Sequence, residues 1–233
     1  MSAVVIILGV IVIILIYFLI RMVSDSATQL TATANLNDDI TPIPIMNSPR
    51  GTKYAYGLWM YVNSWDMGSP KTVFTRADNI ELYLDPGSPV LNCNIIMSND
   101  DVKTVEITDN FPLQKWVHVL VNVDNQYIDC YIDGKLVKSV RAYIEDSTNG
   151  IKVPKQPPQG GKDGIKMKLG GSSRYDAYIT KFKHWPSAVN PETAWATYME
   201  GNGQSSFKNW MSSYGLDVLL KKDNVEQTKF SLF

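Results

Sequence analysis

The chain has 233 residues, of which 45% are apolar and 11% aromatic, so it can build a hydrophobic core and is not disordered throughout. Its 22 basic and 23 acidic residues nearly cancel, which argues against a nucleic-acid partner. Two cysteines cannot make a disulfide framework, and two histidines leave a dedicated zinc site short of ligands.

The N-terminal segment is strongly apolar and predicts a membrane anchor. The run from Ala3 to Ile20 carries no charge, and a helix of that length spans about 27 Å, close to the hydrocarbon thickness of a bilayer. No Lys or Arg precedes the run, and it is longer than the apolar core of a signal peptide. We therefore predict a retained single-pass transmembrane helix over residues 1–21.

The orientation of this anchor depends on Arg21, the only basic side chain near either end of the run. By the positive-inside bias, Arg21 places the rest of the chain on the cytosolic side. The sequence also has no Asn-x-Ser/Thr glycosylation acceptor, which favours the same orientation.

Residues 22–51 are rich in Ser, Thr, Asn, Asp and Pro and lack hydrophobic periodicity. This composition predicts a stalk, semi-rigid near the domain because the prolines at residues 42 and 44 favour extended backbone. The same segment would alternatively lie along the domain surface.

Short segments rich in aromatic and β-branched residues follow, with turn residues about every eight to twelve positions. This pattern is typical of a β-sandwich or barrel. The predicted strands are residues 54–62, 72–74, 80–84, 90–97, 104–107, 116–123, 127–132 and 136–143. Asp124-Asn125 and Asp133-Gly134 occupy two reversals and predict consecutive antiparallel hairpins. Alternation along these strands directs Cys93 and Cys130 into the core, where we expect buried free thiols, with a disulfide across neighbouring strands as the alternative. His118 and His184 lie outside any nucleophile motif and are predicted to be structural.

The run FPLQKWVHVLVNVDNQYIDCYIDGKLVKS, residues 111–139, resembles the Trp-x-His, hairpin and Tyr-x-Asp-Gly segment of concanavalin A-like lectin and laminin-G-like domains. Residues 56–61, YGLWMY, resemble the early core strand, and residues 169–201 resemble the closing strand with its short helix. The resemblance covers about residues 52–202. It implies an all-β fold, a two-sheet antiparallel jelly-roll sandwich.

The closing helix also follows from local signals. Asn190 is a good N-cap, Pro191 suits the first helical position, and Gly201 follows as a stop, so a helix of about residues 191–200 is predicted. The C-terminal extension, residues 203–233, contains a helix-like apolar stripe, a strand-like LDVLL segment and an apolar end. Its apolar residues would either pack on the sandwich or dock a partner protein; they are Phe207, Trp210, Met211, Tyr214, Phe230 and Phe233.

Catalysis is not predicted, although the superfamily that the chain resembles includes glycoside hydrolases. A retaining glycosidase needs two carboxylates roughly 5 to 5.5 Å apart. Glu81 and Asp85, the nearest cluster, share a strand face but are separated by about 13 Å at ~3.3 Å per residue.

Three groups of residues are candidates for binding. One loop carries the hard oxygen ligands that calcium prefers, on Asn99, Asp100 and Asp101. Relatives of this kind often bind calcium, although Asn and Asp are also ordinary turn residues. A glycan would bind exposed aromatic rings beside polar groups, and two sets of residues offer this combination: Trp65 with Asp66, and Tyr175 with Arg174 and Asp176. The alternative is that these rings pack in the core. A third loop is rich in lysine and contains Lys152, Lys155, Lys162, Lys166 and Lys168. It would contact anionic lipid or an acidic partner, or else be solvated.

Two functions follow from these features. Membrane-anchored domains of this kind are similar to proteins of large double-stranded DNA viruses, which implies a minor structural protein that tethers an internal membrane to capsid proteins. The alternative is a membrane lectin-like receptor that binds glycans through rim loops, with a glycoside hydrolase as a distant third. Neither of the first two requires a cofactor.

Overall fold

Strands dominate the residues that the computed structural model describes, which are 8–16, 27–45, 49, 51–146, 150–161, 164–203, 217–222 and 225–231. Helix α1 covers residues 8–16 and helix α2 covers Pro191–Met199. The strands are β1 (Thr28–Asn35), β2 (Lys53–Val62), β3 (Lys71–Arg76), β4 (Ile80–Leu84), β5 (Leu91–Ile96), β6 (Val102–Thr108), β7 (Trp116–Asp124), β8 (Tyr127–Ile132), β9 (Lys135–Arg141), β10 (Ile144–Asp146), β11 (Gly150–Lys152), β12 (Met167–Leu169), β13 (Ala177–Trp185), β14 (Asp217–Lys222) and β15 (Val225–Ser231).

Two antiparallel sheets face each other across the core. The six-stranded sheet has the order β1-β13-β2-β7-β8-β9, and the five-stranded sheet has the order β12-β3-β4-β5-β6. Alternate residues of both sheets form one buried cluster, to which β7 contributes Val117, Val119, Val121 and Val123. The two-sheet antiparallel sandwich predicted from the sequence is confirmed. Two smaller hairpins, β10-β11 and β14-β15, are each paired internally.

The hairpin turns adopt the backbone that their sequences favour. Asn125, between β7 and β8, has φ 54°, and Asp133 and Gly134, between β8 and β9, have φ 48° and 74°. Asn, Asp and Gly tolerate this left-handed region at little cost, which explains why the register of three consecutive strands is readable from the sequence.

Residues 27–45 of the predicted stalk segment lie on the domain, which is the alternative that their composition left open. Strand β1 pairs with the edge of β13, and the Leu36 amide donates to the Ala177 carbonyl at 2.8 Å. Leu36 and Ile45 are buried. A sheet edge carries unpaired backbone groups, so a threonine-rich segment without strong hydrophobic alternation is still recruited as a strand by pairing.

Helix α2 begins as predicted. The Asn190 side chain accepts a hydrogen bond from the Thr193 amide at 2.7 Å, and Pro191 opens the helix. Helix α1 presents exposed apolar side chains. No helix within the described residues is long and apolar enough to cross a bilayer. Ala3, Ile20 and Arg21 lie outside the described residues.

The C-terminal extension is described only in part. The predicted strand near LDVLL is confirmed as β14, and Phe230 lies in β15. Phe207, Trp210, Met211, Tyr214 and Phe233 lie outside the described residues.

Both cysteines are buried and unbonded, as predicted. Burial raises the pKa of Cys93 well above its ordinary value and that of Cys130 to about 12, so both remain neutral thiols packed in the core.

Candidate functional site

The outer face of the six-stranded sheet, which points away from the five-stranded sheet, carries an open groove. Its lining comes from three aromatic residues and two threonines on strands β1, β13, β2 and β7, and it encloses about 240 Å³. These residues are Thr33, Tyr61, Trp116, Tyr178 and Thr180. We call this feature the outer-face groove.

Strand register places the aromatic rings of the groove side by side. Tyr178 lies directly opposite Tyr61 in the β13-β2 pair, and Tyr61 lies directly opposite Trp116 in the β2-β7 pair. The ring centroids of Tyr61 and Trp116 are 5.5 Å apart, with the planes inclined at 46°. The three side chains therefore form a continuous aromatic row across three strands, which we call the aromatic row.

The aromatic row is accessible to solvent. Tyr178 is 37% exposed, and Tyr61 and Trp116 are half-buried. Thr33 lies opposite Thr180 in the β1-β13 pair and is exposed, so its hydroxyl is available beside the rings. The Thr180 hydroxyl already donates to the Asn202 carbonyl at 2.8 Å, which fixes the turn after α2 at this side of the groove.

A polar pair extends the row at one end. Asn63 lies just after β2 and Asp176 just before β13, so they continue the pairing that sets Tyr61 opposite Tyr178. Tyr175 and Ala177, the neighbours of Asp176, are both buried in the core, which leaves Asp176 on the outer side. The Asn63 amide side chain donates to the Asp176 carboxylate at 2.5 Å, and the Asn63 backbone N–H donates to the Asp176 carbonyl at 2.9 Å. Gln114 donates to the Asn63 carbonyl at 3.3 Å. This rim offers an oriented carboxylate beside the rings.

Helix α2 covers the other half of the same face. A second buried cluster lies between α2 and the sheet, formed by Ala55, Leu120, Tyr131, Trp185, Val189 and Ala194. The Tyr198 ring stacks on Trp59 with centroids 5.4 Å apart. Asn122 accepts the Val189 amide at 2.9 Å, and Lys183 pairs with Glu200 at 2.7 Å. These contacts hold α2 against the sheet and bound the groove.

Both histidines are buried, in keeping with the predicted structural role. His118 packs between Trp59 and Tyr198 on the outer face, and His184 packs against Tyr56 in the core. Burial lowers the pKa of His118 to about 4, with Lys183 adding to the shift. Burial and Arg76 lower the pKa of His184 to about 3. Both imidazoles are therefore neutral near pH 7.

The glycan candidates chosen from the sequence do not form one site. Tyr175 is only 3% exposed and donates its hydroxyl to the Thr72 carbonyl at 3.2 Å, so it offers no exposed ring. Burial raises its pKa far above the ordinary value for a tyrosine. Arg174 pairs with Asp39 instead of flanking a platform. Asp176 pairs with Asn63 at the end of the aromatic row.

Trp65 is half-buried and packs against the core. The Lys71 ammonium lies 4.3 Å from the centre of its ring, and the same ammonium donates to the carbonyl oxygens of Asp66 and Ser69. This buried lysine holds the β2-β3 loop together, and it occupies a face of the ring on which a sugar would stack.

The predicted calcium loop is neutralised by lysines. Lys155 pairs with Asp100 at 2.5 Å, Lys152 lies 3.8 Å from Asp101, and the Asn99 side chain donates to Asp101. Two ammonium groups at these carboxylates do not fit a calcium site. The same ion pairs hold Lys152 and Lys155 of the lysine-rich loop against the predicted calcium loop. Lys162 lies outside the described residues. No three His, Cys, Asp or Glu side chains within the described ranges converge to hold a metal ion.

Glu81 and Asp85, the pair considered for hydrolysis, serve local structure, and so do two further carboxylates on β8 and in the β8-β9 turn. Glu81 accepts from the Asn94 side chain at 3.1 Å, and Asp85 accepts from the Gly87 amide at 2.9 Å. Asp129 accepts from the Ser139 hydroxyl at 2.6 Å, and Asp133 accepts from the His118 amide at 2.9 Å.

Sequence reasoning placed Tyr61 and Trp116 in strands but missed the groove. Each of its aromatic residues occupies the polar-facing position of an alternating strand, which is the available signal. The signal is incomplete because it does not tell which outward positions α2 covers.

The chain is similar to a known protein family in sequence and to solved structures in architecture. The family model described as the concanavalin A-like lectin/glucanases superfamily matches residues 35–195. No curated protein matches the chain. A mutant of HCR/D is 14% identical and has a TM-score of 0.55, over 76% of this chain and 46% of its own. The botulinum neurotoxin serotype D ligand binding domain in complex with N-acetylneuraminic acid is 16% identical, with a TM-score of 0.52, over 76% of this chain and 45% of its own.

The receptor binding domain of the botulinum neurotoxin C/D mosaic serotype is 14% identical, with a TM-score of 0.52, over 76% of this chain and 43% of its own. This chain therefore spans less than half the length of each of these structures. At these identities the likeness establishes a shared fold.

Proposed function

The chain belongs to the concanavalin A-like lectin/glucanases superfamily, and from this premise we propose that its jelly roll is a non-catalytic module that binds carbohydrate in the outer-face groove. The observation that carries the proposal is the aromatic row, Tyr178-Tyr61-Trp116, left open on a sheet face that α2 covers only in part.

Aromatic rings suit sugar because a pyranose has an apolar C–H face and a rim of hydroxyl groups. Stacking that face on Tyr178 or Trp116 removes apolar surface from water on both partners. The Thr33 hydroxyl and the Asn63-Asp176 pair supply hydrogen-bonding groups at the edge of the rings. Small-molecule sites combine these same elements, an apolar lining with a few placed polar groups.

The size of the groove limits the ligand. Its volume of about 240 Å³ lies below the roughly 300–1,000 Å³ of sites that enclose drug-sized molecules. One sugar ring would occupy the groove while the rest of a glycan stays in solvent. The serotype D ligand binding domain, which shares this fold over 45% of its length, is itself in complex with N-acetylneuraminic acid.

A glycan array with the full chain tests the proposal. The chain is kept in a detergent without a sugar headgroup, because a maltoside would compete for the groove. We expect binding that Trp116→Ala or Tyr178→Ala weakens about tenfold or more, the loss expected when roughly 1.4 kcal/mol of stacking is removed.

The matched control is Tyr127→Ala. Tyr127 is 47% exposed but lies at the β7-β8 reversal, outside the groove lining. Its loss should leave binding unchanged. A folded chain that binds no glycan, or binding insensitive to both groove variants, would refute the proposal.

A second proposal concerns placement: the module is held at a membrane by a single-pass helix over residues 1–21, with the domain on the cytosolic side. Its support is the uncharged run from Ala3 to Ile20 and the exposure of α1, where Leu8 is 63% and Ile13 68% exposed. A tether to capsid proteins would use the same anchor and remains a prediction from resemblance.

Protease digestion in sealed vesicles distinguishes the placements. Resistance to alkaline extraction together with digestion from the cytosolic side is expected for the proposed orientation. Extraction by alkali would refute the anchor. Protection of the domain from the protease would show the opposite orientation and would remove the basis of the capsid tether.

A further inference from the structure

We infer that the outer-face groove selects uncharged sugar rings over sugars that carry a carboxylate, an inference that rests on the carbohydrate-binding role proposed above. The five lining side chains carry no charge. Selection therefore depends on which charges stand at the rim and whether they are available to a ligand.

The rim carries a negative charge. Asp176 is half-buried, and one of its oxygens already accepts from Asn63 at 2.5 Å, which orients the group beside the aromatic row. The remaining lone pairs can accept hydrogen bonds from the hydroxyl groups of a sugar. A sugar carboxylate placed there would instead meet a like charge in a partly desolvated site, where repulsion is stronger than in bulk water.

The aromatic faces act in the same direction. The face of a tyrosine or tryptophan ring carries partial negative charge, so it attracts C–H groups and cations and disfavours an anion. A neutral ring with its C–H groups on one face therefore matches Tyr178 and Trp116.

The basic side chains that flank the groove residues in sequence are engaged elsewhere. Lys115 lies 3.6 Å from Asp133, Lys183 pairs with Glu200 at 2.7 Å, and Lys181 donates to the Glu200 carbonyl at 2.9 Å. Arg174 pairs with Asp39. Recognition of a carboxylate typically uses a free guanidinium that binds both oxygens, and each of these cations already has an oxygen partner.

Matched pairs of methyl glycosides test the inference on the full chain. Methyl β-glucoside and methyl β-galactoside are titrated against the corresponding uronides, which differ only in a carboxylate at C6, and against the methyl glycoside of N-acetylneuraminic acid. Binding is read by saturation-transfer NMR in a sugar-free detergent. We expect the neutral member of at least one pair to bind about tenfold or more tightly than its uronide.

The possible failures are distinct. Equal or tighter binding of the uronides or of the N-acetylneuraminic acid glycoside, lost in Trp116→Ala, would overturn the charge selectivity and leave the carbohydrate-binding role intact. Binding of none of these glycosides, together with a silent glycan array, would overturn both.

Substitution of the rim carboxylate assigns the selectivity to its source. Asp176→Asn keeps a hydrogen-bonding partner for Asn63 and removes the charge, so the preference for the neutral sugar should fall several-fold. Asp78→Asn is the matched control: it makes the same change of net charge in the β3-β4 turn of the other sheet, where φ is 57° and Asn is well tolerated. An unchanged preference in Asp176→Asn, or an equal fall in Asp78→Asn, would contradict the role of Asp176.

Discussion

The outer face of the six-stranded sheet has two halves that are alike in composition and different in surroundings. In the covered half, Trp59 is 8% and Trp185 2% exposed, because α2 and the loop before it lie across them. In the open half, Tyr178 is 37% exposed and Trp116 half-buried. Both halves present aromatic residues at outward strand positions. Aromatic content alone therefore does not separate a satellite core from a binding surface; the presence of a cover does.

The largest effect should come from emptying the covered half. Trp185 packs so closely that a Cβ added to Gly57 would lie 3.1 Å from its ring. Trp185→Ala should lower the free energy of unfolding by about 3–5 kcal/mol, since it removes a buried indole and leaves a cavity. Urea unfolding measures the loss, and Trp185→Phe should recover much of it. A loss below about 1 kcal/mol would mean that α2 does not seal this half.

Acid should give the next largest loss of stability, through His118 in the covered half and His184 in the core. His118 has a folded-state pKa of about 4 and His184 of about 3, both below the unfolded value of 6.5. Between pH 6.5 and 4 the unfolded chain binds more protons, so stability falls with decreasing pH by about 1 kcal/mol per unit for each histidine.

The readout is the slope of unfolding free energy against pH, because His118→Gln also alters packing. This variant should flatten the slope over that range by the contribution of one histidine. An identical slope in the variant would contradict the neutral, buried imidazole beneath α2.

A smaller effect should follow from weakening the start of α2. Asn190→Ala removes the side chain that accepts from the Thr193 amide at 2.7 Å. We expect the free energy of unfolding to fall by about 1 kcal/mol. Asn190→Ser, which also caps helices well, is the control and should lose little. Equal losses in both variants would indicate that packing rather than capping sets the cost.

The smallest effect on stability should come from the open half. Tyr178→Ala should lower the free energy of unfolding by less than about 1 kcal/mol, because the exposed ring buries less surface than Trp185. Its effect belongs to ligand binding instead. A stability loss as large as that of Trp185→Ala would show that the open half is core, and would weaken the case for a binding groove.

Much of the fold follows from local patterns. Strands β2, β4, β7 and β8 lie where alternation predicted them, since one apolar face per strand produces a period of two residues. Strand β1 escaped prediction because its threonines alternate weakly and its pairing partner, β13, lies far along the chain. The binding candidates were harder to predict. Tyr175 has charged neighbours in the sequence, yet its ring is buried in the hydrophobic core.

The sequence by itself determined the features that a few neighbouring residues control: the hairpin turns at Asn125 and Gly134, the Asn190 cap, and the inward direction of Cys93 and Cys130. These depend on backbone conformation and strand alternation, which act over short separations. Only the tertiary structure decided which outward residues α2 covers and that Tyr178, Tyr61 and Trp116 lie in one row. That outcome depends on the register between strands distant in the chain and on the docking of a helix, which no local pattern specifies.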